Sequence, residues 1–385
     1  MKKIRLVHVV NNLSVGGVSR VLLDLCDQAD LNKYDISIIC LSSNLEMLHQ
    51  SPLRKGIDLF TFKYFFDTFY TLRRYLYLTY YKRVTAKRSK QVIDKIIQIQ
   101  PDIIHFHILP RELMIGHLIL EVMPEVKMVF TDHLMRIGED DYSYINRALL
   151  KIAYRKLYSK FNVISVSKSV ERSNRMNGFL SQHKKHRLIE NRIDCSKYDL
   201  TKKASKQTVN VVYVARLSIV KGHMDLLKAW EVVSKKWDCK LFLIGDGELY
   251  DELFQYSEKY IDNGSVVFAG SVDNVTDFLQ ISDFAVFPSY KEGLPMALLE
   301  QAVIGLPVVA SDIPELTDII EHETHGLIFK VGNVPDLINK LEIMIDNKLL
   351  RLKYGENIKK MALSRFCNKD FGYHYEKFYD EILGT

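Results

Sequence analysis

Long apolar runs are missing from this chain. No stretch approaches the roughly 20 consecutive apolar residues that a membrane-spanning helix needs, so no spanning segment is expected. Cysteine is scarce as well. Cys26, Cys40, Cys195, Cys239 and Cys367 are odd in number and form no C-x-x-C pair. That pattern indicates neither a zinc site nor a disulfide framework, and reduced, mostly buried thiols are expected. The glycine-rich fingerprint G-x-G-x-x-G is absent, which disfavours a dinucleotide-dependent dehydrogenase. No Asp-x-Asp appears at a strand end in the first half, so no dedicated divalent-metal site is expected, and neither is a cofactor.

What is present is the material of two globular cores. The 385 residues are too many for one ordinary core, and 47% hydrophobic with 26% charged residues is the balance of a soluble protein. MKKIRLVHVV begins with a basic stretch like a signal peptide, but its apolar segment is short and Asn11 and Asn12 follow at once. A first β-strand is the better reading, and a cytoplasmic location is expected. The net charge of +6 hides an asymmetry: residues 1–206 carry +15 and the remainder −9. A basic first half suits something anionic.

Short β-branched runs alternate with longer amphipathic patterns. Expected strands are 4–10, 36–41, 103–106, 127–131 and 163–166, then 209–215, 240–244, 266–269, 284–287, 307–310 and 326–329. Such alternation implies an α/β fold with parallel sheets covered by helices on both faces. The runs fall into two sets separated by the polar stretch 196–208. Two Rossmann-like domains are therefore expected, over 1–195 and 209–365, with 196–208 as linker and 366–385 as a terminal helix packing back on the first domain. In open α/β sheets ligands sit at the carboxyl ends of strands, so two such domains facing each other would form a cleft.

Chemistry concentrates at those strand ends. After the first strand, Gly16 and Gly17 allow a tight turn and close backbone approach, and the helix that follows offers N–H groups to an anion. Gly-Gly after a strand is equally common as a plain turn. In VYVARLSIVKGH, Arg216 and Lys221 suit a diphosphate: arginine binds phosphate oxygens in a bidentate manner and lysine adds a point charge. The bland alternative is a pair of solvated loop charges. The stretch FPSYKEGLPMALLEQAVIGLPVVASDIPEL sets Glu292 in a loop and Glu300 about two turns into an otherwise apolar helix, with Gly293, Leu294 and Pro295 turning the chain between them. An unpaired carboxylate there would be costly to bury, so a ligand partner for Glu300 is the economical explanation. His105 and His107 share a strand face by period two, and His107, nearer the strand end, is the candidate for acceptor contact. A strand-end histidine is more often structural.

Taken together, GGVSR, DIIHFH, TDH, ISVSKS, ENRID, VARLSIVKG, IGDGEL and EGLPMALLEQAVIGLPVVASD resemble the retaining glycosyltransferases of the GT-B architecture. The resemblance is to family four, which includes bacterial capsule, exopolysaccharide and lipopolysaccharide transferases, and it covers essentially the whole chain. It implies that Gly16 and Gly17 approach a donor diphosphate, that Arg216 and Lys221 hold it, and that Glu292 and the backbone of Gly293–Pro295 lie against the donor sugar. Glu300 would bind the ribose hydroxyls, and His133 of TDH would match the family's active-site histidine. One departure concerns the acceptor side: many members have an acidic residue where this chain has Ser19 or Arg20.

The implied reaction is metal-independent, retaining transfer of a hexose or N-acetylhexosamine from a nucleotide sugar, UDP-linked by family custom, to a lipid-linked glycan. The alternatives are a sugar-nucleotide 2-epimerase and a non-catalytic nucleotide-sugar binder in a polysaccharide assembly complex. Expected partners are the nucleotide sugar, a glycan or lipid-linked glycan acceptor and an anionic membrane surface, with no nucleic acid. The membrane contact is assigned to residues 63–90, which hold eight Lys/Arg, nine Tyr/Phe and one acid, Asp67. Basic-aromatic segments of this kind lie at bilayer interfaces. A helix with its aromatics in the first core is the plain alternative. A peripheral protein on the inner face of the plasma membrane is the resulting expectation.

Overall fold

The computed structural model describes all residues except 1, 15, 51, 64–85, 109–112, 134–143, 199–207, 273, 368–369 and 385. Most of the expected membrane-facing segment, 64–85, thus lies outside the described residues, as does most of the expected linker. The chain divides into two compact units, 1–190 with 370–385, and 191–369.

In the first unit seven strands form one parallel sheet. They are β1 (Ile4–Val10), β2 (Tyr34–Cys40), β3 (Asp58–Thr61), β4 (Ile103–His107), β5 (Lys127–Asp132), β6 (Asn162–Ser165) and β7 (His186–Leu188), ordered β3-β2-β1-β4-β5-β6-β7. The central strands are buried on both faces because helices cover both, which a parallel sheet requires. One face packs Val7, Val9, Ile104, Phe106, Phe130 and Phe161 into a continuous core, where each large side chain contributes about 1.5–3 kcal/mol. Register sets Leu6 of β1 opposite Ile103 of β4, and therefore His8 opposite His105 and Val10 opposite His107.

The terminal helix Phe371–Leu383 belongs to this unit. It buries Phe371, Tyr375, Phe378 and Tyr379. Lys33 pairs with Asp380 at 2.8 Å and Arg187 with Glu381 at 2.5 Å. Gly372 lets the helix approach closely, because a Cβ there would come within 3.0 Å of the Gln28 Cβ.

Six parallel strands build the second unit: β8 (Val209–Val214), β9 (Cys239–Ile244), β10 (Val266–Gly270), β11 (Phe284–Phe287), β12 (Val308–Ser311) and β13 (Gly326–Phe329), ordered β10-β9-β8-β11-β12-β13. The sequence of crossings, 3-2-1-4-5-6, repeats that of the first unit and is the Rossmann order, with its switch point between the first and fourth strands.

Two expectations need correction. The first unit ends at Glu190 and not at 195, because Ile193 already bridges to Cys367 and its amide donates to the Phe366 carbonyl at 3.1 Å. The thiols are not all reduced either. Cys195 and Cys367 are joined as a disulfide with Cα atoms 5.5 Å apart, and the free thiols of Cys26, Cys40 and Cys239 are all buried. A separation of 172 residues gave no sign of the pairing, which the bridge at Ile193 creates. Among the described residues no helix is long and apolar enough to cross a membrane.

Candidate functional site

In the second unit the chemistry gathers around the carboxyl ends of β8 and β11. Past β8 the chain makes a short 3-10 turn, Ile219–Lys221, and enters the helix His223–Lys236 through Gly222 at φ 68°. Only glycine fits there: a Cβ would lie 2.2 Å from the Pro288 carbonyl oxygen. The Tyr213 hydroxyl, rising from β8, donates to the Lys221 carbonyl at 2.7 Å and fixes the turn.

So held, Lys221 places its Nζ 2.6 Å from Oε2 of Glu292. Glu292 is 4% exposed. Its other carboxylate oxygen accepts from the Ser289 hydroxyl at 2.8 Å, and Ser289 lies 3.0 Å from the Tyr213 hydroxyl. The amide of Glu292 donates to Glu315 at 3.3 Å. Burial raises the Glu315 carboxyl above its ordinary range, and the nearby Glu292 charge adds to the rise. Burial, with Glu292 again contributing, also lifts the Tyr213 phenol well above its normal value. Arg216 stands apart, with its guanidinium 3.1 Å from Glu248 and largely in solvent.

Past Glu292, Gly293 and Leu294 are buried, and Pro295 leads into the helix Met296–Ile304. This helix has neither a side-chain cap nor an acidic residue in its first turn, so its dipole there is open to an anion. Glu300 departs from expectation. It is half-buried and accepts a hydrogen bond from the Tyr198 hydroxyl at 2.8 Å, so a protein group already satisfies part of it. Tyr198, Ser289, Tyr213 and Glu315 were not foreseen. Tyr213, Ser289 and Glu315 lie within the stretches singled out around Arg216 and Glu292, whereas Tyr198 lies outside them.

The first unit holds the remaining candidates. Gly16 and Gly17 are exposed at the start of the helix Gly17–Gln28. The chain bends at Gly16, but its φ of 167° is extended backbone that any residue adopts, and a Cβ on it would meet nothing within 4 Å. Neither local strain nor packing accounts for the glycine. Nearby, Arg20 pairs with buried Asp24 at 3.4 Å.

His133 follows β5, whose last residue is the fully buried Asp132. The Asp132 carboxylate accepts from the Tyr158 hydroxyl at 2.7 Å and from the Asn174 amide at 3.2 Å, which anchors the strand end. His133 Nε2 lies 3.2 Å from His107 Nδ1, and His107 Nε2 lies 3.1 Å from His8 Nδ1. His107 is 3% exposed and engages both ring nitrogens in this way, so its expected direct acceptor contact has no polar atom to make it. The His105 ring lies tilted against that of His107 with centroids 4.0 Å apart and bonds Tyr379 and Thr131, each at 2.6 Å. Burial holds His8 down to about 3 and His105 and His107 well below the ordinary imidazole value, so these rings are neutral. The His8, His105 and His107 nitrogens lie within 4.8 Å of one another, a grouping that could in principle hold a metal ion. His8 was not foreseen, although its alternation with Leu6 and Val10 along β1 placed it on one strand face or the other.

Residues 15–197 match the family model described as Glycosyltransferase Family 4, and residues 199–361 match the one described as Glycosyl transferases group 1. The chain belongs to glycosyltransferase family four. This family-four member is 29% identical over 185 residues to an uncharacterized glycosyltransferase of Haemophilus influenzae, covering 48% of this chain and 50% of that protein. It is 31% identical over 127 residues to N,N'-diacetylbacillosaminyl-diphospho-undecaprenol alpha-1,3-N-acetylgalactosaminyltransferase of Campylobacter jejuni, covering 33% of this chain and 34% of that one. The chain thus spans half the length, or less, of these curated relatives. Among solved structures, Anabaena HepE in complex with UDP and glucose superposes with a TM-score of 0.74 at 18% identity, over 98% of this chain and all of HepE. That likeness shows the fold, the two parallel-sheet domains of GT-B glycosyltransferases.

Proposed function

We propose that this family-four member is a retaining glycosyltransferase that moves a hexose or N-acetylhexosamine from a UDP-linked donor to a lipid-linked glycan. The observation that carries the reading is the Lys221–Glu292 pair at the strand ends, the glutamate buried and the lysine half-buried, held by Ser289 and Tyr213. A cation and a carboxylate so placed suit a sugar diphosphate: one partner for the phosphate, one for sugar hydroxyls. In this reading Arg216 and Lys221 bind the diphosphate and Glu292 and the Gly293–Pro295 backbone meet the sugar. Glu300, steadied by Tyr198, takes the ribose hydroxyls. Gly16 and Gly17 approach the diphosphate, and His133 is assigned to the transferring sugar.

The reaction breaks the bond between the anomeric carbon and the diphosphate oxygen and forms one between that carbon and the acceptor oxygen. The acceptor's proton passes to the departing phosphate on the same face, so configuration is retained. Stabilising the developing diphosphate charge would supply most of the catalysis, and two cations with a helix terminus can do this without a divalent metal. The choice of UDP is supported by HepE, whose structure contains UDP and glucose, and the lipid-linked acceptor by the name of the Campylobacter relative. Location on the inner membrane face is part of the same proposal.

The deciding experiment is a screen of nucleotide sugars by thermal shift, followed by hydrolysis and transfer assays on the hits, with the product anomer read by NMR. An inverted product, or a released 2-epimer with no transfer to any acceptor, would reject the reading. Binding with neither hydrolysis nor transfer would favour a non-catalytic binder.

A further inference from the structure

Three imidazoles form a continuous hydrogen-bonded chain in the first unit, running His8 Nδ1 to His107 Nε2 at 3.1 Å and His107 Nδ1 to His133 Nε2 at 3.2 Å. His8 is 2% exposed and His107 3%, and burial keeps both rings neutral. A neutral imidazole has one N–H donor and one lone-pair acceptor. Because His107 uses both its nitrogens, only two arrangements satisfy the chain. In one, every N–H points from His8 towards His133, and His133 carries its proton on Nδ1. In the other, every N–H points towards His8, and His133 carries its proton on Nε2. Any mixture sets two donors or two lone pairs face to face in a buried place, which forfeits a hydrogen bond and leaves polar atoms unsatisfied.

We infer that His107 and His8 are positioning residues for His133: the two buried rings hold its ring in place and tie its tautomer to their own, so that the three protons change sides only together. The inference rests on the assignment of His133 to the transferring sugar. A ring that meets a reacting sugar must present one defined nitrogen, as a donor or as an acceptor, and its other nitrogen's partner decides which. The partner here is a ring whose own tautomer is tied to that of a third. His105, although its ring packs against His107, stands outside the chain because Tyr379 and Thr131 occupy its two nitrogens. The same occupancy tells against a metal held by His8, His105 and His107, since the third ligand would have to give up a 2.6 Å bond first.

The test uses the full chain with ring-15N histidine. Long-range 1H–15N correlation reports the tautomer of each ring, with the His133 signal assigned by its loss in His133→Gln. We expect the three rings of the wild type to report matched tautomers, in one or other concerted arrangement, and the His133 tautomer population to change in His107→Phe and in His8→Phe, where that match is broken. The kcat of both variants should fall about tenfold to a hundredfold, by analogy with the range found when outer partners of metal-ligating histidines are removed, with donor KM within about twofold. His107→Gln, whose carboxamide can donate to one neighbour and accept from the other, should recover most of the loss. Should His107→Phe fail to fold, His8→Phe, one ring further from His133, reads the same coupling. An unchanged His133 tautomer in folded variants overturns the inference, and so does a kcat that stays at the wild-type value. One equivalent of Zn2+ bound by the wild type and lost in His8→Phe also overturns it, in favour of a metal site. The NMR readout needs neither donor nor acceptor. Coupling that persists in a wild type without transferase activity therefore supports the link between the rings while rejecting the proposed function.

Discussion

Lys221 and Glu292, 71 residues apart in sequence, meet as an ion pair at 2.6 Å, and the glutamate is almost wholly buried. Two groups assigned to different parts of the donor thus neutralise each other when no donor is bound. The pair keeps a buried carboxylate from standing alone, which would be costly. It also means that a phosphate arriving at Lys221 competes with Glu292, freeing the carboxylate to turn to sugar hydroxyls.

Lys221→Ala and Arg216→Ala should therefore differ in one respect and agree in another. Each removes a cation from the leaving diphosphate and should cost roughly 2–4 kcal/mol of transition-state stabilisation, read as kcat/KM. Lys221→Ala also leaves Glu292 without its counter-ion and should lower unfolding stability by about 1–3 kcal/mol. Arg216 meets Glu248 in solvent, so Arg216→Ala should leave the thermal midpoint where it is. Near-normal turnover in both folded variants would remove the phosphate site from this part of the unit.

Glu300→Ala should raise donor KM while leaving kcat nearly constant, because a ribose contact is remote from the bond that breaks. Tyr198→Phe takes away only the hydroxyl that bonds Glu300, and its effect should be the same in kind and smaller, about a fewfold in KM, as for one lost hydrogen bond. Equal KM in wild type and Glu300→Ala would show that the carboxylate serves Tyr198 and no ligand.

Much of this architecture was legible in the chain because buried parallel strands are apolar on both faces. Ile103–His107 and Phe284–Phe287 announce themselves as short β-branched or aromatic runs. Asp58–Thr61 and His186–Leu188 do not: they are the two edge strands of their sheet, four and three residues long and only partly covered, so no apolar signal marks them. Arg216, Lys221, Glu292 and Glu300 could be read because charge at a strand end or inside an apolar helix is out of place. Their partners could not. Ser289, Tyr213 and Tyr198 are ordinary residues whose roles come from where the chain folds them, and Cys195 finds Cys367 only through the bridge at Ile193.

Gly222→Ala tests the turn that carries Lys221. The φ of 68° costs an alanine about 1–2 kcal/mol, and the new Cβ would lie 2.2 Å from the Pro288 oxygen, so the backbone must shift as well. The thermal midpoint should drop by roughly 4–10 °C, with donor affinity falling alongside as Lys221 is displaced. Retention of both values would mean that the turn is free to rearrange.

Residues 63–90 carry the membrane proposal on sequence alone. The protein should sediment with liposomes containing anionic lipid at low salt and release as salt rises, since screening weakens surface attraction. Replacing Arg73, Arg74, Lys82 and Arg83 with Glu should abolish sedimentation and leave nucleotide binding intact. A wild type indifferent to anionic liposomes at low salt would make a soluble acceptor the better proposal.

Acid should destabilise this protein earlier than its carboxylates alone require. His8 is held down to about 3 by burial, and His105 and His107 are lowered for the same reason, as is His223 in the second unit, to about 3. An unfolded chain protonates these rings near 6.5, so below that value the unfolded state binds more protons than the folded one, and stability falls as pH falls. The loss begins near pH 6.5 and continues towards pH 3, at up to about 1.4 kcal/mol per pH unit for each ring. Glu315 acts in the opposite sense: its raised carboxyl favours folding most at low pH. It is one group against these four rings and three more that burial lowers, His117, His186 and His325, so the histidines set the sign. Denaturant titrations at half-unit steps from pH 7 to pH 4.5 should show the midpoint declining throughout. His8→Phe should be less steep by about one proton, or about 1.4 kcal/mol per pH unit at its fullest. A stability that stays level between pH 6.5 and pH 5 would mean that the buried rings take up protons in the folded protein, and that the neutral His8–His107 link does not hold in solution.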